Sequence, residues 1–160
     1  MRHRYSFPFL EPVDWKDLEL DDYPLVIKNP IDLGTIKQKL DEKKYWADPT
    51  QFLRDLTLMF DNCYHYNEPT SDVSDMGYQL QKIFIQYLQS SSLFTPEQIK
   101  SVKDVHPKMY ESFHKERAKE MDESSDAEQE KDKKKGIKRS AEMLRRMRQQ
   151  ERTRIQWSSW

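Results

Sequence analysis

The chain has one cysteine, Cys63, and only three glycines among its 160 residues. A lone cysteine excludes an internal disulfide framework and fits a reducing compartment. Three scattered glycines make no phosphate loop. The four histidines and Cys63 show no metal-ligand spacing, and no nucleophile stands beside an identifiable base. An enzyme reading therefore finds little support, and no cofactor or metal is expected. No apolar run approaches the ~20 residues that a membrane span requires. The N-terminal run Met1–Tyr5 has no signal-peptide hydrophobic region either. The expectation is a soluble, intracellular protein with no membrane contact. Strand signals and internal repeats are also missing, which leaves an all-α fold.

What is present is unevenly distributed. Charged residues make up 34% of the chain and hydrophobic ones 36%, and nearly all the aromatic and aliphatic residues precede about residue 113. A net charge of −1 hides an asymmetric tail: Glu120–Glu130 holds six acids and no base, whereas Lys131–Arg154 holds eleven bases against Asp132, Glu142 and Glu151. An acidic block followed by a basic block is a composition that stays solvated and often disordered.

The folded part is organised around Phe60–Val73. Upstream of it, Phe52, Leu56, Met59, Phe60 and Cys63 recur at helical spacing; downstream, Val73, Met76, Gly77, Leu80, Ile83, Phe84, Tyr87 and Leu88 do the same. Between them Pro69 stops helix propagation, and Thr70 or Ser71 can cap the next helix. Asn67 thus falls at a helix end, with its amide available to a ligand.

Before this hairpin, Phe7 to about Asp22 reads as a long structured loop, Tyr23–Ile27 as a helical turn, and Asp32 as the cap of a helix reaching about Lys43. Tyr45 and Trp46 are expected packing anchors. Asp48-Pro49 reads as cap and first turn of a helix ending at Asn67, and a third long helix is expected over about Ser71–Ser91. Thr95-Pro96-Glu97-Gln98 has capping-box spacing, and a further helix is expected over about Lys108–Met121.

The run Phe60–Val73 resembles the end of helix B, the BC loop and the start of helix C of a bromodomain, the acetyl-lysine reading module. Phe7-Pro8-Phe9, Pro12-Val13-Asp14, Asp22-Tyr23-Pro24, Ile27–Ile36 and Tyr45-Trp46 extend the resemblance in the right order, closest in motif to the BET family. It implies a left-handed helical bundle with a long ZA loop, here residues 1–93. Residues 94–121 are then a C-terminal helical extension, and 122–160 a disordered tail. Helix Z of that fold precedes Phe7, which here has six residues before it, so Z is expected to be absent or vestigial. Loss of a helix partner uncovers on the order of 400–600 Å² of apolar surface, roughly 10–15 kcal/mol at about 25 cal/mol per Å². Candidates to cover that groove are the helix around Met109–Met121, the segment Ile137–Trp157, a second copy in a homodimer, or a partner protein.

The resemblance also implies a site. Acetylation leaves lysine with an amide in place of a charge, so a reader needs an apolar tube with a donor at its end. Asn67 is expected to donate to the acetyl carbonyl and Tyr23 to reach the same oxygen through water. The expected walls are Pro8, Phe9, Val13, Leu18, Leu20, Cys63, Tyr66 and the gatekeeper Val73. Phe7 forms the shelf where the family usually has Trp. By itself Cys63 reads more readily as a small buried residue than as a nucleophile.

Acids crowd the two loops at the mouth (Glu11, Asp14, Asp17, Glu19, Asp21, Asp22, Glu68, Asp72), which favours a basic peptide such as an acetylated H4 or H3 histone tail. One short side chain supports an affinity of only about 10⁻⁴ to 10⁻³ M. The expected role is a chromatin reader in transcription regulation, located in the nucleus. The alternative is a bromodomain-like scaffold that acts by dimerising or through its tail. Within that tail, Lys131–Arg139 looks like a nuclear-import or nucleic-acid patch. Arg145, Arg146, Arg148, Arg152 and Arg154 lie on an expected helix whose apolar residues Leu144, Met147, Ile155 and Trp157 form a weak stripe, suited to non-specific DNA contact through 131–154, to docking a partner, or to remaining disordered.

Overall fold

The computed structural model describes residues 3–105 and 141–150. Every regular element among them is helical: a 3-10 turn at Phe7–Phe9, then α1 (Tyr23–Val26), α2 (Leu33–Asp41), α3 (Thr50–Tyr66), α4 (Asp72–Ser91), α5 (Pro96–Lys103) and α6 (residues 141–150). The all-α class follows, as expected from the missing strand signals. The helix expected over Lys108–Met121 lies outside the described residues.

Local capping sets most helix starts. Asp32 is extended, and its Oδ1 accepts from Thr35 N at 2.9 Å while its Oδ2 accepts from the Thr35 hydroxyl at 2.7 Å. Ser71 Oγ accepts from Ser74 N at 3.2 Å to open α4. Thr95 and Gln98 form the reciprocal capping box, at 3.2 and 2.8 Å. At α3 the pattern shifts by one residue from expectation: Pro49 takes the cap position, and Asp48 Oδ1 reaches the Thr50 amide at 3.0 Å.

α3 packs against α2, α4 and α5, and α4 packs against α5. Leu56, Phe60 and Val102 are fully enclosed. Phe60 meets Phe84 edge-on with ring centres 6.2 Å apart, and Phe52 stacks on Phe94 at 6.4 Å. A buried polar chain threads the same three helices: the Tyr64 hydroxyl donates to Gln81 Oε1 (2.6 Å), and Gln81 Nε2 donates to the Val102 carbonyl (2.5 Å). That network satisfies polar groups which would otherwise be stranded out of water.

Several expectations are corrected here. The segment after residue 93, expected as a helical extension, shares the core of the preceding helices through Ile99 and Val102 of α5. α5 packs on both α3 and α4. Residues 141–150 do not belong to a disordered tail: they form a helix, as the weak stripe there suggests, with Met143 and Leu144 of the candidate covering segment Ile137–Trp157 buried. Tyr87, read as part of the apolar stripe, is 50% exposed, because the buried face of α4 passes through Leu80, Gln81 and Leu88 instead. Tyr45 is an anchor, buried and donating to Asp55 Oδ2 at 2.6 Å, whereas Trp46 is 69% exposed with Lys43 Nζ 4.5 Å above its ring.

The long loop between Phe9 and α2 is held to this frame at specific points. Phe9 packs its ring 6.3 Å from that of Phe60. Gly34 N donates to the Leu10 carbonyl at 3.1 Å, and a Cβ at Gly34 would stand 2.6 Å from that same oxygen. Only glycine permits so close an approach. Asn62 Nδ2 donates to the Asn29 carbonyl at 2.8 Å, which fastens the far end of the loop to α3.

Candidate functional site

The loop, α1 and the α3–α4 corner enclose a cavity of about 40 Å³. By the yardstick of ~10–15 Å³ per water, this is room for about three waters. Of the residues expected at the site, Pro8, Phe9, Val13, Tyr23, Cys63, Tyr66, Asn67 and Val73 line it together. Leu18, Leu20 and Phe7 do not. Leu18 and Leu20 are buried in the core, and Phe7 is half-buried beside the cavity under the side chain of Arg148.

The reason for the inward turn of both leucines is the residue between them. Glu19 adopts φ 56°, a left-handed conformation uncommon for residues other than glycine, and backbone bonds from Glu19 N to the Lys16 carbonyl (3.1 Å) and from Leu20 N to the Trp15 carbonyl (2.8 Å) fix it there. The kink sends Leu18 and Leu20 into the core and leaves Glu19 outside.

Asn67 stands where α3 ends, in extended backbone. Its Nδ2 donates to the Cys63 carbonyl at 2.9 Å, and its backbone N–H donates to the same oxygen at 3.0 Å. Two bonds to one helix-terminal carbonyl orient the side-chain amide. A primary amide carries two N–H groups; the carbonyl takes one, and Nδ2 also lies 4.0 Å from Cys63 Sγ, a long and weak contact.

Tyr23 opens α1 and is buried, with its ring edge-on to Tyr66 at 4.9 Å. Burial, reinforced by Cys63 and Asp32, pushes its phenol up to about 12, so the hydroxyl keeps its proton and remains a donor at neutral pH. The Tyr66 hydroxyl donates to Asp22 Oδ1 at 2.8 Å, which ties the loop before α1 to the end of α3.

Cys63 is buried on the wall of the recess. Burial drives its thiol up to about 12, opposed by a hydrogen bond with Asn67, and its Sγ lies 3.7 Å from the Val73 carbonyl. A thiol in that state is a wall, not a nucleophile. Gly77 stands behind it: a Cβ there would meet Cys63 Sγ at 3.0 Å and the Phe9 ring at 3.3 Å, so glycine lets α4 press against the cavity wall.

Sequence reasoning missed Ile31, Asp32, Met59, Asn62 and Met143 among the lining residues, while Glu11, expected among the acids at the mouth, lines the cavity itself. Met59 was legible, since it lies one helical turn before Cys63 on the same face. Ile31 and Asp32 sit immediately before α2, at a position whose capping role gave no hint of a second role. Met143 belongs to the distant helix α6, where no local pattern could link it to the cavity.

The arrangement is an apolar-walled recess with an oriented amide and a protonated phenol on its lining. Among the described residues, no group of three or more His, Cys, Asp or Glu side chains could hold a metal ion, and no helix is long and apolar enough to cross a membrane. Residues 1–78 match the family model described as Bromodomain, which supports the resemblance from the shelf turn through the cavity loops and into α4.

Proposed function

We propose that the cavity binds acetyl-lysine, with the Asn67 side-chain amide donating to the acetyl carbonyl in place of its weak contact with Cys63 Sγ and Tyr23 reaching that oxygen through a water. Bromodomains read acetylated lysine as a family. The observation that carries the reading for this chain is that Asn67 and Tyr23 line one recess whose other walls are mostly apolar. Val73 stands at the mouth as gatekeeper, Pro8, Phe9, Val13, Cys63 and Tyr66 contact the aliphatic stem, and Phe7 provides a shelf outside. Leu18 and Leu20 support this wall from behind.

An unmodified lysine would bring an unpaired ammonium into this recess, which costs several kcal/mol more than the neutral amide. The exposed acids Glu11, Asp14, Asp17, Asp21, Glu68 and Asp72 favour a basic peptide around the mark. An acetylated histone H4 or H3 tail fits that chemistry, and a nuclear reader acting in transcription, closest to the BET group, is the corresponding role.

Calorimetric titration tests this with singly acetylated, doubly acetylated and unmodified H4 tail peptides against the wild-type chain and Asn67→Ala. Heat with the acetylated peptides alone, lost in Asn67→Ala, is the expected result. Equal heat with modified and unmodified peptides would sink the reading.

A further inference from the structure

One wall of the cavity comes from a part of the chain remote from all the others. Met143 of α6 lines it together with Pro8, Asn67 and Val73, and is itself buried. Leu144 beside it is also buried, and Met147 one turn on packs against the core. These three make the apolar side of α6.

The polar side of α6 grips the loop that carries the rest of the mouth. Arg146 Nη1 lies 2.9 Å from Glu19 Oε2, on the residue whose left-handed backbone holds it outward. The guanidinium of Arg148 stands 5.3 Å above the centre of the Phe7 ring, within cation–π range. Glu142 sits 3.6 Å from Arg146 and completes a small ion cluster on the helix. Thus α6 places basic groups on an acidic loop, an arginine on the shelf ring, and an apolar side chain in the recess. These are the same features that a basic acetylated peptide would engage.

We propose that α6 is an intramolecular competitor of the acetylated peptide: a basic helix, tipped by Met143, that rests on the rim of the recess and moves aside when peptide binds tightly. The proposal rests on the reading of the cavity as an acetyl-lysine site. Its consequence is a population effect. The peptide's apparent dissociation constant rises by the reciprocal of the fraction of molecules in which α6 is displaced. The holding contacts suit such a role, because an exposed ion pair is weak and salt-screened, while the buried methionine contact is non-directional and reversible. A supporting role for α6, as a wall the ligand needs, predicts the opposite sign.

The test uses the full chain and an acetylated H4 tail peptide, with its unmodified counterpart as control. Titrations compare wild type, Arg146→Glu, the pair Met143→Ser with Arg146→Glu, and the charge swap Glu19→Arg with Arg146→Glu. Thermal unfolding verifies that each variant is folded. Competition predicts binding about five-fold tighter or more in the first two variants, and a return toward wild type in the charge swap, which restores the pair in reverse. Unchanged or weaker binding in folded Arg146→Glu and in the Met143→Ser pair overturns the competitor while leaving the reader intact. Acetyl-dependent binding absent from wild type and from every released variant overturns the reader reading and the competitor with it.

Discussion

The α3–α4–α5 core and the loop face in front of it are built on different principles. The core is held by area: Leu56, Phe60 and Val102 are enclosed on all sides, and its polar chain Tyr64–Gln81–Val102 is fully paired. The loop from Phe7 to Asp32 buries Leu18, Leu20, Tyr23 and Ile27 in the same core but is also fastened at points: Phe9 against Phe60, Gly34 against Leu10, Asn62 to Asn29, and Tyr66 to Asp22. A region held by area resists any loss of volume. A region held by points keeps a recess open between them, and the cavity lies on that seam.

Substitutions that separate the two regimes should differ in size. Phe60→Ala removes a fully buried ring and is expected to cost about 3–5 kcal/mol in a denaturant titration, the largest effect here. Gln81→Ala removes the bonds to the buried Tyr64 hydroxyl and Val102 carbonyl; a loss of about 1–3 kcal/mol is expected, measured the same way. A neutral result would mean that the buried chain contributes no more than water would.

Gly34→Ala probes a point contact. Its Cβ would press on the Leu10 carbonyl from 2.6 Å, so loop or helix must shift. The expected cost is about 1–3 kcal/mol, with acetylated-peptide binding weakened as well, since the same loop carries Pro8, Phe9 and Val13. Tyr66→Phe cuts one loop tether and should cost only about 0.5–1.5 kcal/mol. If it destabilises as much as Phe60→Ala, the division into area and points fails.

The two buried phenols add a pH dependence. Burial raises the Tyr23 phenol from 10.0 to about 12 and the Tyr45 phenol, beside Asp55, higher still. A raised folded-state value means that the stabilisation is fully present below pH 10 and is lost as pH climbs through the folded value. Chemical denaturation between pH 9 and 12 should therefore show stability falling above about pH 10. Tyr23→Phe should flatten part of that slope, and an unchanged slope would place the Tyr23 hydroxyl in water.

Much of the core was legible because its rules are local. Asp32, Ser71 and Thr95 each announce a helix start through a side chain that reaches a backbone N–H three residues on, and the α3 and α4 stripes repeat at helical spacing. The donor end of the cavity was legible too: Asn67 follows from a helix stopped before Pro69, and the resemblance supplied Tyr23. What stayed hidden depends on backbone geometry or remote packing. The rotation of Leu18 and Leu20 away from the recess depends on the left-handed Glu19. The docking of α6 depends on Met143, Leu144 and Met147, too few apolar residues to make a clear stripe. Trp46 looked like an anchor by type, but its ring lies in solvent under Lys43.

The most direct test of the account follows the Asn67 side-chain amide by nuclear magnetic resonance, assigned by its loss in Asn67→Asp, while an acetylated H4 tail peptide is added. The account predicts a saturable shift of that amide signal with the acetylated peptide and none with the unmodified one. If the acetylated peptide binds and the Asn67 amide does not respond, the mark is read elsewhere and the central claim is wrong.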